Sequence, residues 1–469
     1  MKKTKIVCSI GPSSNSYETF RQLVKSGMNV ARVNFSHATM EERKIVEDLV
    51  ARVNKEEQAN VGLLFDTKGP EFRNGLIENG EVTLVEGEII RIVKEDVIGN
   101  NKRFSVNHPQ TLANLKEKDI VLLVNGLIKL EVISVEDDGV TCRILNGGVL
   151  GNHKSMSVPG VNLGIPFIND IDREDITYAC LHNGDFLALS FVSCKEDIIE
   201  ARRILKENNR EDMKIISKIE SVTGMENLDE IVEYSDGVMV ARGDLGVEVP
   251  MTMLPIYQKQ IITKCRELGK FVIVATEMLV SMKKSIRPTR AEVSDVANAV
   301  FNGTDAVMLS DETTVGNYPV ETVKCMADIV ENAEQYYNYD MKFNVVTDSN
   351  VTATIAKSVV AAASDLEVKV IVAATMSGRT AMKISNLKPN ALILATVPTE
   401  KAARSLALNW GVYSALVPEY KSTDEIVKDG IVKAREFIEL NTGDQVVITG
   451  GFPNTGVKVT NFMKIEEIK

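Results

Sequence analysis

The chain has 469 residues, 44% hydrophobic and 25% charged, a composition that supports a large core and excludes disordered and fibrous classes. At roughly 150 residues per domain, this length predicts about three domains. Its 54 Lys and Arg against 65 Asp and Glu give a net charge of −11. That balance lacks the basic footprint of a nucleic-acid binder and gives no attraction to an anionic membrane.

The basic start, Met1-Lys2-Lys3-Thr4-Lys5, precedes an apolar stretch too short for a secretion signal. No later segment approaches the roughly 20 apolar residues of a membrane span. Six cysteines, at 8, 142, 180, 194, 265 and 325, form no CxxC pair, and the four His stand at no zinc-finger spacing. Reduced thiols and a cytoplasmic location are expected.

Short apolar runs at 5–10, 29–34, 61–66, 186–191, 213–218, 237–241, 271–275 and 305–309 predict eight strands. Most are apolar throughout rather than alternating, as parallel strands covered on both faces are. Helical periodicity falls between most of them, for example at 18–25, 40–55, 197–207, 255–268 and 289–301. Eight strand–helix units predict a (β/α)8 TIM barrel with its chemistry at the strand ends, the alternative being an open doubly wound sheet. Residues 70–168 interrupt the series with short alternating runs and turn signals such as Glu78-Asn79-Gly80 and Asp137-Asp138-Gly139. They predict an inserted all-β, barrel-like lid domain. From about Asn344, strands at 368–373, 392–397, 412–417 and 445–449, with edge strands at 457–460 and 463–465, predict a C-terminal α/β domain. The expected division is a barrel of 1–69 and 169–343, a lid of 70–168, and a third domain of 344–469.

The predicted strands end in polar residues. The second runs into Arg32-Val33-Asn34-Phe35-Ser36-His37, so Arg32, Asn34 and Ser36 share a face. The third ends in Asp66-Thr67, the fifth in Lys218-Ile219-Glu220, the sixth in Arg242-Gly243-Asp244, the seventh in Thr276-Glu277 and the eighth in Ser310-Asp311. Glu220 and Asp244, from neighbouring strands, suit Mg²⁺ completed by substrate and water oxygens. Arg32 and Lys218 beside such a metal point to a phosphate or carboxylate substrate. Asn34, Ser36, Asp66 and Thr67 offer the oxygens of a site for a weakly charged, hard cation. Metal, Lys and Arg without a catalytic His or Cys suit phosphoryl transfer, which needs positioning and charge neutralisation. GxxxxGK[ST] is absent, which excludes a P-loop enzyme.

These segments resemble the pyruvate kinase family. The resemblance rests on 4–14, Ala31-Arg32-Val33-Asn34-Phe35-Ser36-His37, Asp66-Thr67-Lys68-Gly69-Pro70-Glu71, Ile216-Ser217-Lys218-Ile219-Glu220, 239–246, 287–292 and Met308-Leu309-Ser310. It covers essentially the whole chain in the family's order. It implies phosphoryl transfer from phosphoenolpyruvate to ADP, giving pyruvate and ATP at the last step of glycolysis. Mg²⁺ (or Mn²⁺) would sit on Glu220 and Asp244. Lys218 and Arg32 would contact the phosphoryl group, while Gly243, Asp244 and Thr276 would receive the substrate carboxylate. K⁺ would sit among Asn34, Ser36, Asp66 and Thr67, and the family's potassium-dependent members carry the acidic residue found here at Glu71. Nucleotide contacts would come from Asn34, Phe35, Ser36, His37, Arg73 and Lys154, although Asn152-His153-Lys154 departs from the commoner Lys-Gly pattern. Ala38, Glu277, Val280 and Asp311 are further departures, and none removes a proposed ligand. Thr276 and Ser310 are candidates to position a water that protonates the enolate. A homotetramer is implied as well.

In the C-terminal region Thr375-Met376-Ser377-Gly378-Arg379-Thr380 joins a strand to a helix, a pattern suited to an anion or to simple N-capping by Ser377. In the family this loop receives an effector's phosphate. The loop near the C-terminus, Gly450-Gly451-Phe452-Pro453-Asn454-Thr455-Gly456, carries no Arg as a second anchor, which favours AMP or ribose 5-phosphate over fructose 1,6-bisphosphate. Two other readings are a Mg²⁺-dependent carbon–carbon lyase and a barrel that senses phosphoenolpyruvate without turnover. The first needs neither the K⁺ set nor the lid, and the second would be marked by loss of Lys218 or a metal carboxylate.

Overall fold

A computed structural model describes residues 1–339, 350–453 and 459–469. Eight parallel strands close a barrel: β1 (Lys5–Ser9), β2 (Val30–Asn34), β3 (Gly62–Asp66), β4 (Phe186–Leu189), β5 (Lys214–Ile219), β6 (Gly237–Ala241), β7 (Phe271–Ala275) and β8 (Ala306–Leu309). Each pairs with its neighbours in sequence, and β8 returns to β1 with Lys5 opposite Ala306. Closure rules out the open doubly wound sheet.

The unbroken apolar runs have a direct cause in packing. Ile6, Leu63, Phe65 and Ile215 face the core beneath the helices, while Val7, Leu64 and Ile216, one residue along, fill the barrel interior. Both faces of each strand are therefore buried. Gly237 leaves room for an aromatic ring: a methyl placed there would lie 2.1 Å from a Phe271 ring carbon. Ala407 and Leu408 join the interior cluster from the C-terminal region and plug the end of the barrel remote from the strand tips.

Three of the barrel helices begin where the sequence supplies caps. Helix α1 (Tyr17–Ser26) is capped by Ser16, and α2 (Met40–Glu56) by a Thr39–Glu42 capping box. Helix α3 (Asp170–Leu181) follows the inserted segment, with an Asn169–Asp172 capping box. Fourth-strand pairing stops at Leu189, short of the expected Phe191, because Phe191 turns into a left-handed backbone conformation at φ 58°.

Between Gly69 and Asn169 a six-stranded and a two-stranded sheet surround a separate core that includes Ile90, Phe104, Val121 and Ile144. Asp137-Asp138 forms the two-residue link between the strands Ile128–Glu136 and Gly139–Asn146. The C-terminal region stacks five strands, Val412–Leu416, Leu392–Val397, Val370–Ala374, Gln445–Gly450 and Phe462–Glu467, the last antiparallel. Its expected start near Asn344 lies outside the described residues, as do two positions of the edge strand expected at 457–460. Val459 and Thr460 are described and are not in a strand.

Candidate active site

The C-terminal ends of the barrel strands and the inner face of the inserted domain enclose a cleft of about 760 Å³. Arg32, Asn34, Ser36, His37, Lys218, Glu220, Asp244 and Thr276 line it from the barrel, and Arg73 and Lys154 from the insertion. A groove of about 880 Å³ lies elsewhere, between the helices Leu228–Tyr234 and Leu254–Glu267. Its Lys264 is already paired with Asp229 at 2.7 Å, and none of the strand-end charges reaches it.

Lys218 is the centre of the cleft floor. Its ammonium donates to Ser190 Oγ at 2.7 Å and lies 3.1 Å from Asp66 Oδ1 and 3.0 Å from Glu220 Oε1. Burial works against its charge, but the Asp66 and Glu220 carboxylates outweigh burial and raise its pKa. Asp66 is fully buried and takes Arg32 Nε on its other oxygen at 2.7 Å. Burial opposes its ionisation too, yet Lys218 and Arg32 together lower its pKa. Arg32 is held from a second side by Ser9 Oγ at 2.6 Å. The two cations are thus fixed in place by buried partners.

Glu220 is less well compensated. Its Oε2 accepts the Phe191 N–H at 2.6 Å, while Oε1 is buried without a hydrogen bond and meets Lys218 only as an ion pair. Burial pushes its pKa up to about 7; Lys218 opposes that rise, and the Asp244 and Asp66 charges add to it. Among the described residues no three His, Cys, Asp or Glu side chains form a metal cage. The fit is instead to a divalent cation that takes two protein carboxylates, Glu220 and Asp244, and fills its shell from substrate and water. An orphaned carboxylate oxygen beside a second carboxylate is the observation behind that fit.

The proposed K⁺ residues meet at the ends of β2 and β3, with Asn34 opposite Asp66 in register. Two of their oxygens already have donors: Asn34 Oδ1 takes the Ser36 N–H, and Thr67 Oγ1 takes the Ser190 N–H. Phe35 does not line the cleft; it is buried and stacks on Phe65 at 5.1 Å. A nucleotide contact at Phe35 is therefore confined to its backbone.

The carboxylate-binding candidates are tied to one another. The Gly243 N–H donates to Thr276 Oγ1 at 2.8 Å, and that hydroxyl donates to Ala275 O at 2.6 Å. Thr276 and Glu277 both hold positive φ, 65° and 54°, a costly conformation for side-chain-bearing residues. Arg242 stabilises this turn. Its guanidinium donates to the carbonyls of Ala275, Thr276 and Glu277 and pairs with Asp295 at 2.5 Å.

On the insertion, Arg73 pairs with Glu71 at 2.6 Å and donates to His153 O at 2.8 Å. Lys154 is exposed. The loop from Thr375 to Thr380 lies in the C-terminal region and does not line the cleft. Gly378, at φ 85°, is the N-cap residue of the helix Arg379–Ser385, which has no side-chain cap, so the N-cap expected from Ser377 does not form. Ser377, Met376 and Arg379 are exposed, whereas the Thr380 hydroxyl is buried against that of Thr460 at 2.6 Å.

Sequence reading overlooked Ser190, Ser9 and Arg242 as site residues. Ser190 was legible: it is the polar residue inside the fourth expected run, 186–191, and directly follows the observed strand β4. Arg242 reads only as a strand-end charge and Ser9 carries no local mark, since their partners arrive from β2 and from residues 275–277.

Comparison with known proteins agrees across the chain. The family model described as pyruvate kinase, barrel domain, matches residues 1–323, and that described as pyruvate kinase, alpha/beta domain, matches residues 353–466. The chain is 41% identical to a pyruvate kinase of Clostridium perfringens over the whole of both proteins. It is 43% identical to one from Sporosarcina psychrophila, covering 100% of this chain and 81% of that one. A crystal structure of a pyruvate kinase from Cryptosporidium parvum superposes with a TM-score of 0.95 at 37% identity, covering 99% of this chain and 96% of that one.

Proposed function

The chain belongs to the pyruvate kinase family and is a phosphotransferase; we propose that it moves the phosphoryl group of phosphoenolpyruvate to ADP with Mg²⁺ and K⁺. The observation that carries this reading is the Lys218 ammonium, buried beside Glu220 and kept charged by its carboxylate neighbours at the centre of the cleft.

Lys218 and Arg32 hold the phosphoryl oxygens and neutralise charge as the group leaves the enol oxygen. The N–H groups of Gly243 and Asp244 and the Thr276 hydroxyl receive the substrate carboxylate, which replaces the Gly243–Thr276 bond. Mg²⁺ or Mn²⁺ on Glu220 and Asp244 supplies the positive charge that these side chains cannot, and K⁺ sits among Asn34, Ser36, Asp66 and Thr67. Arg73 and Lys154, with the side chains of Asn34, Ser36 and His37 and the backbone of Phe35, face the ADP phosphates. Thr276 and Ser310 hold the water that protonates the enolate.

The three domains are 1–69 with 169–343, 70–168, and 344–469, and the second acts as a lid. The loop from Thr375 to Thr380 binds the phosphate of an activator, AMP or ribose 5-phosphate, chiefly through backbone N–H groups, Ser377 and Arg379. A cytoplasmic homotetramer completes the reading. Among the described residues no helix is long and apolar enough to cross a membrane.

The test is a coupled assay of pyruvate formation from phosphoenolpyruvate and ADP, with each of Mg²⁺ and K⁺ omitted in turn. Turnover that needs Mg²⁺ and rises with K⁺ is expected. No turnover overturns the reaction, and equal rates without the cations overturn their roles.

A further inference from the structure

The insertion is joined to the barrel by two chain crossings, one leaving after Gly69 and one returning before Asn169. The Asp172 side chain, in the first turn of α3 and 2% exposed, touches both. Its Oδ1 accepts the Gly69 N–H at 2.9 Å, and its Oδ2 accepts the Asn169 N–H at 3.4 Å. Capping α3 accounts for the second bond, which the Asn169 side chain returns by accepting the Asp172 N–H at 2.9 Å. Capping does not account for the first, which reaches 103 residues back along the chain.

The outgoing crossing is bonded to the barrel up to that bond and to the insertion's own residues after it. Thr67 is sewn to the end of β4: its N–H donates to Ala188 O, and its oxygens accept from the Ser190 N–H and hydroxyl. Gly69 is wedged against the same serine, where a Cβ would come within 2.9 Å of Ser190 Cβ, and its φ of 71° suits glycine. The next contacts run forward into the insertion, with Glu71 N–H to Gly69 O at 2.9 Å and Lys68 to Glu71 at 3.2 Å. The point at which the chain stops belonging to the barrel is therefore Gly69–Pro70, and the Asp172 carboxylate pins it beside the return crossing.

We propose that Asp172 is the hinge clip of the inserted domain, a positioning residue whose single carboxylate fastens both crossings and so sets the axis about which the lid moves over the cleft. The link to activity rests on the proposed function, in which Arg73 and Lys154 ride on the lid and contact ADP, while the phosphoenolpyruvate residues stay on the barrel. The Ser190 hydroxyl that holds Thr67 also accepts from Lys218, so the clip stands one residue contact from the cleft floor.

The test compares Asp172→Ala with Asn169→Ala in the full chain, using hydrogen exchange of peptides spanning 66–71 and steady-state kinetics. In Asp172→Ala, exchange around Gly69 rises about tenfold or more, the weight of one hydrogen bond to a carboxylate. KM for ADP rises about fivefold to twentyfold as lid preorganisation is lost, while half-saturation by phosphoenolpyruvate stays within about twofold. Asn169→Ala removes the cap and some thermal stability but leaves Gly69 protection and KM for ADP unchanged. If Asp172→Ala does not fold, Asp172→Asn, which keeps one acceptor oxygen, shows the same pattern at smaller amplitude. Unchanged Gly69 exchange in the Asp172 variant, or matching changes in the Asn169 variant, overturns the clip. Unchanged KM for ADP with increased exchange overturns its role in lid position. A wild type without turnover refutes the proposed reaction, and the exchange comparison still decides the clip.

Discussion

Replacing Lys218 by Met takes the charge from a buried cluster, and its two consequences separate with pH. Asp66 keeps Arg32 at 2.7 Å, but Glu220 keeps only the Phe191 N–H, on one oxygen. In the wild type, burial with Asp244 and Asp66 already lifts Glu220 to about 7 against the pull of Lys218, so without Lys218 it rises further. A carboxyl whose folded pKa lies above its unfolded value weakens the fold progressively as pH climbs from the unfolded to the folded pKa, then by a constant amount. That weakening levels off near pH 7 in the wild type and continues upward in Lys218→Met. The stability gap therefore opens above pH 7 by up to about 1.4 kcal/mol per unit, with about 3–5 kcal/mol as the ceiling for breaking a buried pair. Catalysis is lost at every pH, with kcat down about a thousandfold, since the neutralising charge is gone. Denaturant unfolding in chelator from pH 6 to 9, alongside pyruvate formation, measures both. A gap that stays constant over this range refutes the charge argument, and a kcat within tenfold of wild type refutes the role of Lys218.

Gly237→Ala drives a methyl into the Phe271 ring and is expected to cost about 1–3 kcal/mol as overpacking; an unchanged melting temperature contradicts it. Arg73→Ala and Lys154→Ala are expected to raise KM for ADP about tenfold and to spare phosphoenolpyruvate, because one phosphate contact is worth about 1.4 kcal/mol. Equal effects on both substrates in steady-state kinetics count against a nucleotide role. AMP or ribose 5-phosphate is expected to lower half-saturating phosphoenolpyruvate in the wild type and not in Arg379→Ala. A wild type deaf to both, or a variant that still responds, removes the effector assignment.

The barrel was legible because its strands are buried on both faces, which leaves a short, mostly apolar run eight times over. Strand tips were less so: the chain leaves the ladder at Leu189 because of the Phe191 backbone turn, and no residue type announces a positive φ at phenylalanine. Within the site, residues whose role depends on their own strand face, such as Arg32, Lys218 and Glu220, could be read from the chain. Residues defined by partners far along it could not. Arg242 looks like one more strand-end charge until the Ala275, Thr276 and Glu277 carbonyls close around it. Asp172 reads as an ordinary cap until Gly69 is brought to it. Thr380 shows the opposite error, since a hydroxyl in an anion-loop pattern turns inward to Thr460.

The net charge of −11 acquires a local meaning in the cleft. Around Lys218 two cations, Arg32 and Lys218, are set among three carboxylates, Asp66, Glu220 and Asp244. Asp66 draws on both cations, so little positive potential is left for an incoming anion, and burial, with the Asp244 and Asp66 charges adding to it, keeps the pKa of Glu220 raised against the pull of Lys218. A strongly anionic substrate entering this set alone meets near-balanced charge in a partly buried site, where desolvation is costly. A divalent cation on Glu220 and Asp244, as proposed, would reverse the balance. On that reading metal and substrate are expected to bind with positive coupling. Phosphoenolpyruvate affinity should collapse in chelator while Arg32 and Lys218 are untouched, and metal affinity should rise when phosphoenolpyruvate is present. Titration calorimetry that finds equal phosphoenolpyruvate affinity with and without Mg²⁺ would show that the two cations suffice and that the carboxylates serve another purpose.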